Sequence, residues 1–165
     1  MKANTKQALY WSLAFLGVGL ITPSVIILSL EVLVGHINPL IAIADILRRQ
    51  FAKGHNLFLF AAFGLIPFTV LSMACFLAAR RLASSRLKCV ALGGVIGILA
   101  IMVPGHIAVW YPLYDSGHMS STAVIAFLFI PFCCIVSLCV GLLVGWLVSL
   151  LPVFRHAINC ERPGT

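Results

Sequence analysis

Long apolar runs alternate with short polar connections along this chain. No charged residue occurs between Lys6 and Glu31, from Gly54 to Ala79, from Cys89 to Tyr114, or from Ser116 to Phe154, histidine being the exception inside the last three runs. A helix needs roughly 20 mostly apolar residues to cross a bilayer. The pattern therefore predicts four spans, over residues 9–33, 57–79, 89–111 and 121–151. In lipid the backbone must satisfy its own hydrogen bonds, which a helix does within one segment. The alternation expected of barrel strands is missing. The fold class read from the pattern is an all-α integral membrane protein, a four-helix transmembrane bundle forming one domain over residues 1–165.

The first connection is not featureless. Asn38-Pro39 reads as a helix start, with Asn as cap and Pro at the first helical position. Lys53-Gly54 reads as a stop. Between them Leu40, Ile43, Leu47 and Phe51 recur at helical spacing, and Asp45 and Arg49 form an i,i+4 pair on another face. The prediction is a short amphipathic helix over 39–53, lying on the outer membrane surface or offering its apolar face to a partner.

Composition agrees with this architecture. The chain of 165 residues is 62% hydrophobic and 9% charged, against about 25% charged in a soluble domain. The first apolar run, Leu9 to Leu30, exceeds a signal-peptide core and is followed by Glu31, Val32 and Leu33 rather than by small residues. It is expected to remain as an anchor. The net charge of +7 forms no stripe that could follow a phosphate backbone, so no nucleic-acid partner is expected. The basic residues instead set orientation. Lys2, Lys6, Arg80, Arg81, Arg86, Lys88, Arg155 and Arg162 fall on one side, and Arg48, Arg49 and Lys53 on the other. Eight against three places both termini in the cytoplasm, and the bacterial inner membrane is the expected location. Tyr10, Trp11 and Trp146 then form an inner aromatic belt, and Trp110, Tyr111 and Tyr114 an outer one.

Each predicted span holds one internal proline, Pro23, Pro67, Pro104 and Pro131, and each proline is expected to kink its helix. Ala62-Phe63 and Ile66-Pro67-Phe68 match Ala126-Phe127 and Ile130-Pro131-Phe132, with Cys75 matching Cys139. A duplicated hairpin and chance resemblance between apolar stretches both give such a pattern. Gly93 and Gly97 form one G-x-x-x-G pair, and Gly141 and Gly145 another, at similar depth in spans three and four. Small residues let backbones approach closely where no hydrophobic force drives helix association. The two spans are expected to touch there, although the same faces suit a homo-oligomer.

Chemistry is sparse. Of the six cysteines, Cys133, Cys134 and Cys139 lie in span four, and Cys75, Cys89 and Cys160 lie near or beyond the inner face. No C-x-x-C is present. Adjacent helical residues diverge by about 100°, so Cys133-Cys134 is a poor chelate and packing is the expected role. The outer end gathers a candidate polar site: Glu31, His36, His106, Asp115 and His118. A carboxylate with imidazoles could bind a divalent ion or relay protons, but the spacing matches no metal motif. No cofactor is implied, and no nucleophile elbow, Walker loop or paired carboxylate dyad appears. No Asp, Glu, Lys or Arg sits mid-span, which argues against an ion-coupled transporter. The expected function is non-catalytic binding, as an accessory subunit, sensor or immunity-type protein. An oligomeric channel or transporter for a small solute ranks second, and a membrane enzyme using the outer Glu/His group third. The expected partners are the bilayer and either further copies of the chain or another membrane protein.

Overall fold

The computed structural model describes residues 3–50, 57–79, 81–82, 84–117 and 123–151. Its elements are α1 (Ala3–Leu33), α2 (Pro39–Arg49), α3 (Leu57–Ala78), α4 (Ser84–Asp115) and α5 (Ala123–Val148). All regular structure among the described residues is helical. Four of these helices are long and apolar enough to cross a membrane, and they form the bundle that the charge-free runs predict. The short amphipathic helix between the first two spans is α2.

Two antiparallel pairs build the bundle. In the α1/α3 pair, Gly19 lies against Phe68, and Gly64 against the Gly19 carbonyl and Pro23. The α4/α5 pair is closer. Gly93 faces the backbone of Gly141 and Gly145, and Gly97 faces Ser137 and Gly141. Gly145 faces Cys89 and Val90. At the four glycines only hydrogen atoms project, so the two backbones approach closely. Ser137 Oγ donates across this seam to the Gly97 carbonyl at 2.7 Å. Pro23 and Pro67 are fully buried in the core beside Ile27, Phe68, Leu71, Ile98, Met102 and Leu138.

Several helix ends differ from the sequence expectation; α1 begins at Ala3 rather than at residue 9, and α4 at Ser84 rather than at residue 89. The third span was expected to stop at residue 111, but α4 continues to Asp115 with Pro112 inside it. A proline costs a backbone bond but does not have to end a helix whose neighbours hold it. Asp115 is thus a helical residue rather than part of the third loop. The described fourth helix runs Ala123–Val148, followed by a turn over 149–150, rather than reaching 151 as a helix. The surface helix ends at Arg49 rather than 53; Phe51, Lys53 and Gly54 lie outside the described residues.

The start of α2 follows its sequence signal. The Asn38 side chain accepts from the Leu40 N–H at 3.0 Å, with Pro39 at the first helical position. The rotation of α2 is less obvious. Ala42 and Ile46 turn toward the bundle and are buried, while Leu40, Ile41, Ile43 and Leu47 face outward, 45–78% exposed. Asp45 and Arg49 lie on the bundle side with Ala42 and Ile46, at helical spacing. The reason for that choice lies in the end of α1.

Candidate functional site

Glu31 occupies the last turns of α1, and no part of it is exposed. Burying a carboxylate costs several kcal/mol unless partners compensate, and two of its partners come from distant parts of the chain. Tyr114 Oη, on the last turn of α4, donates to Glu31 Oε1 at 3.0 Å. Arg49 Nη1 approaches the same oxygen at 3.5 Å, while its Nη2 pairs with Asp45. A guanidinium with a planar fork suits such a bridge between two carboxylates. This ionic link dictates the rotation of α2: Arg49 must face Glu31, so Leu40, Ile43 and Leu47 face away. The other oxygen, Glu31 Oε2, is buried without a hydrogen-bond partner among the described residues.

Just past α1 the chain turns on His36, whose φ of 51° places it in the left-handed region. Histidine is among the residues that tolerate this conformation. The Ile37 N–H then returns to the Glu31 carbonyl at 3.1 Å. The His36 side chain is exposed, so its contribution is the backbone turn that carries the chain into α2.

His106 sits deeper. It is buried, and its Nδ1 lies 2.9 Å from the Met102 carbonyl. His106, Trp110 and Tyr114 share one face of α4 at i, i+4 and i+8. Beside that face Phe127 of α5 and Phe60 of α3 complete an aromatic cluster. The Phe60 and Trp110 rings meet edge-on at 5.5 Å, and Phe127 lies 4.5 Å from Phe60, 5.3 Å from Trp110 and 5.9 Å from His106. Trp110 is therefore a core residue, 2% exposed, and not part of an outer lipid-facing belt. Indole is large enough to fill the gap among α3, α4 and α5, and burial there outweighs its interfacial preference. Its Nε1 has no hydrogen-bond partner among the described residues. Tyr111 stays exposed, while Tyr114 turns inward to Glu31.

Four of the five sequence-selected residues are described, and these four occupy separate environments. Glu31 and His106 engage different partners, His36 and Asp115 are exposed, and His118 lies outside the described residues. No group of three or more His, Cys, Asp or Glu among the described residues is placed to hold a metal ion. Three residues that the sequence reading did not place in the site enter it: Tyr114, Asp45 and Arg49. The Asp45–Arg49 spacing was a usable signal for a paired charge, but nothing local points it at Glu31.

Along one side of α2 lies a cavity of about 420 Å³, lined by Glu31, Asp45 and Arg48 and by the apolar residues Ile37, Leu40, Ile41, Ala42 and Ala44. No family model, curated protein or solved structure matches this chain. The end of the bundle that carries α2 is where its polar chemistry is concentrated.

Proposed function

We propose that this chain is a non-catalytic membrane protein that works by binding a second membrane protein, as an accessory subunit, sensor or immunity-type protein does, and that α2 carries the contact. The observation behind this reading is the way α2 is mounted. Its charged side is fastened to the bundle through Arg49 and Glu31, and a ridge of Leu40, Ile41, Ile43 and Leu47 stands outward. A fixed helix with an apolar outward ridge suits helix-in-groove recognition at the membrane surface.

The interior supports binding over transport. The middle of the bundle is filled by Phe68, Leu71, Ile98, Met102 and Leu138, all fully buried, which leaves no polar path through a single copy among the described residues. Catalysis at Glu31 and His106 is the weaker reading, since each engages other groups. The excess of Lys and Arg in the terminal segments and in the α3–α4 connection supports cytoplasmic termini, with α2 on the outer face of a bacterial inner membrane.

The test is gentle copurification from native membranes followed by native mass spectrometry. The expected result is a stoichiometric second membrane protein that is lost when Leu40 and Leu47 are both changed to Ser, with the bundle still folded. A clean homo-oligomer without partner would overturn the reading and favour an oligomeric channel. Reporter fusions at both termini and in the α2 segment check the orientation.

A further inference from the structure

A groove of about 880 Å³ runs along the outside of the bundle between α1 and α4. One wall is α1, from Ala14 to Val34, and the other is α4, from Leu99 to Tyr111. At 1.5 Å per residue the α1 wall is about 30 Å long, the full thickness of the hydrocarbon layer. Its hydroxyls are satisfied within α1 itself. Thr22 Oγ1 donates to the Val18 carbonyl at 2.7 Å, and Ser29 Oγ to the Val25 carbonyl at 2.8 Å. The groove therefore suits an apolar occupant.

Gly17, in the α1 wall, separates a helix from lipid as that occupant. The other described glycines of the four spans each have atoms of a neighbouring helix close to where a Cβ would stand. Gly19 and Gly64 join α1 to α3, Gly94 receives Leu71 and Leu138, and Gly105 receives Ile130, besides the four of the α4/α5 seam. Among the described span glycines, Gly17 alone meets nothing within 4 Å. Glycine inside a helix costs about 1 kcal/mol against alanine, and in lipid this is offset where another backbone approaches. We propose that the α1/α4 groove receives one transmembrane helix of the partner membrane protein, packed with a small residue against Gly17.

The dimensions agree. A helix about 10 Å across, half-seated along the roughly 18 Å of α4 wall, displaces about 700 Å³, comparable to the groove. Val18, Ile21, Thr22 and Val25 line it, and β-branched side chains in a helix have little rotamer freedom to lose on docking. A second copy of this chain related by a two-fold axis would set groove against groove, and two concave faces do not fill each other. The outer end of the groove, at Leu33 and Val34, lies five residues before α2 begins (39 minus 34). A helix leaving the membrane there emerges beside the segment already assigned the partner contact.

This inference rests on the reading that the chain binds a second membrane protein, and it adds a contact within the bilayer. The test places a photoreactive diazirine analogue of leucine at Ile21 or Val25 of the full chain, both exposed in the groove. Native membranes are irradiated and the crosslinked peptides sequenced by mass spectrometry. The expected product from both positions is one apolar transmembrane segment of another protein, while the same probe at Phe132, on the outer face of α5, gives lipid adducts. Gly17→Leu fills the groove and should lower the protein adduct about tenfold, with the unfolding midpoint in detergent unchanged. Val25→Trp, read with the probe at Ile21, is a second block. Lipid adducts alone at Ile21 and Val25, a covalent dimer of this chain, or full adduct yield in both blocked variants overturns the proposal. A probe at Leu47 separates the two readings. A protein adduct at Leu47 with only lipid in the groove removes the groove proposal alone. A protein adduct in the groove with none at Leu47 removes α2 as the contact and upholds the groove.

Discussion

Changing Gly141 to Ala tests the tightest seam in the molecule. A Cβ at Gly141 would meet the Gly93 carbonyl and the Gly97 Cα, and no flexible side chain is among these neighbours. Backbone cannot rotate aside, so α4 and α5 must separate. Overpacking of a filled site costs about 1–3 kcal/mol. Separation also stretches the Ser137–Gly97 hydrogen bond, worth about 0.6 kcal/mol in a membrane. The combined expectation is a loss of about 1.5–3.5 kcal/mol. Gly17→Ala is the control, because a Cβ there meets nothing within 4 Å. Spans remain helical when a membrane protein unfolds in detergent, so the intrinsic helix preference of Ala largely cancels in both variants. The assay is reversible unfolding in mixed micelles with increasing sodium dodecyl sulfate. Gly141→Ala should unfold at clearly lower denaturant fraction, with Gly17→Ala close to wild type. Equal midpoints for the two variants would refute close backbone packing as the basis of the α4/α5 seam.

Other consequences are equally open to measurement. Arg49→Ala leaves the Glu31 carboxylate with Tyr114 alone and should destabilise the attachment of α2 by about 1–3 kcal/mol. This lies below the range for a fully buried pair because Arg49 is about one-third exposed. Hydrogen exchange should accelerate in α2 and not in α4, and adding Glu31→Gln should recover part of the loss; a strictly additive double variant would deny the pairing. Trp110→Phe removes an indole N–H that has no partner among the described residues and should cost about 1 kcal/mol or less, whereas Trp110→Ala should cost about 3–5 kcal/mol in the same unfolding assay. At the turn before α2, His36→Gly should be nearly neutral. His36→Val should cost about 1–2 kcal/mol, because a β-branched residue resists the left-handed conformation found there. Indistinguishable α2 exchange rates in those two variants would argue against that turn.

The features legible in the sequence were those set by local rules. Each span announced itself because a single charge in its middle would be costly. Asn38-Pro39 marked the start of α2 because capping and the proline's fixed φ act within a few residues. The glycine pairs marked α4 and α5, since spacing alone places them on one helix face. What the sequence hid depends on distant partners. Tyr114 lies 83 residues from Glu31, and no local pattern joins them. The rotation of α2 was ambiguous because Leu40, Ile43 and Leu47 repeat as well as Ala42 and Ile46 do; the buried carboxylate on another helix decides between them. Trp110 was misplaced for a similar reason. An aromatic near a helix end suits the interface and the core equally, until Phe60 and Phe127 from two other helices define the space it fills.

The ionic link also has an order in time. Arg49 follows Glu31 by 18 residues (49 minus 31), and Tyr114 follows it by 83. At about 5–20 residues per second of synthesis, Arg49 leaves the ribosome roughly 1–4 seconds after Glu31, and Tyr114 roughly 4–17 seconds after it. The acidic end of the first span therefore meets its counter-ion before the third and fourth spans exist. The nascent chain carries its own neutralising residue in the next helix, so the charge at the end of α1 need not wait for the whole bundle. Tyr114 arrives afterward and fastens to α1 an end of the molecule whose charges have already been matched.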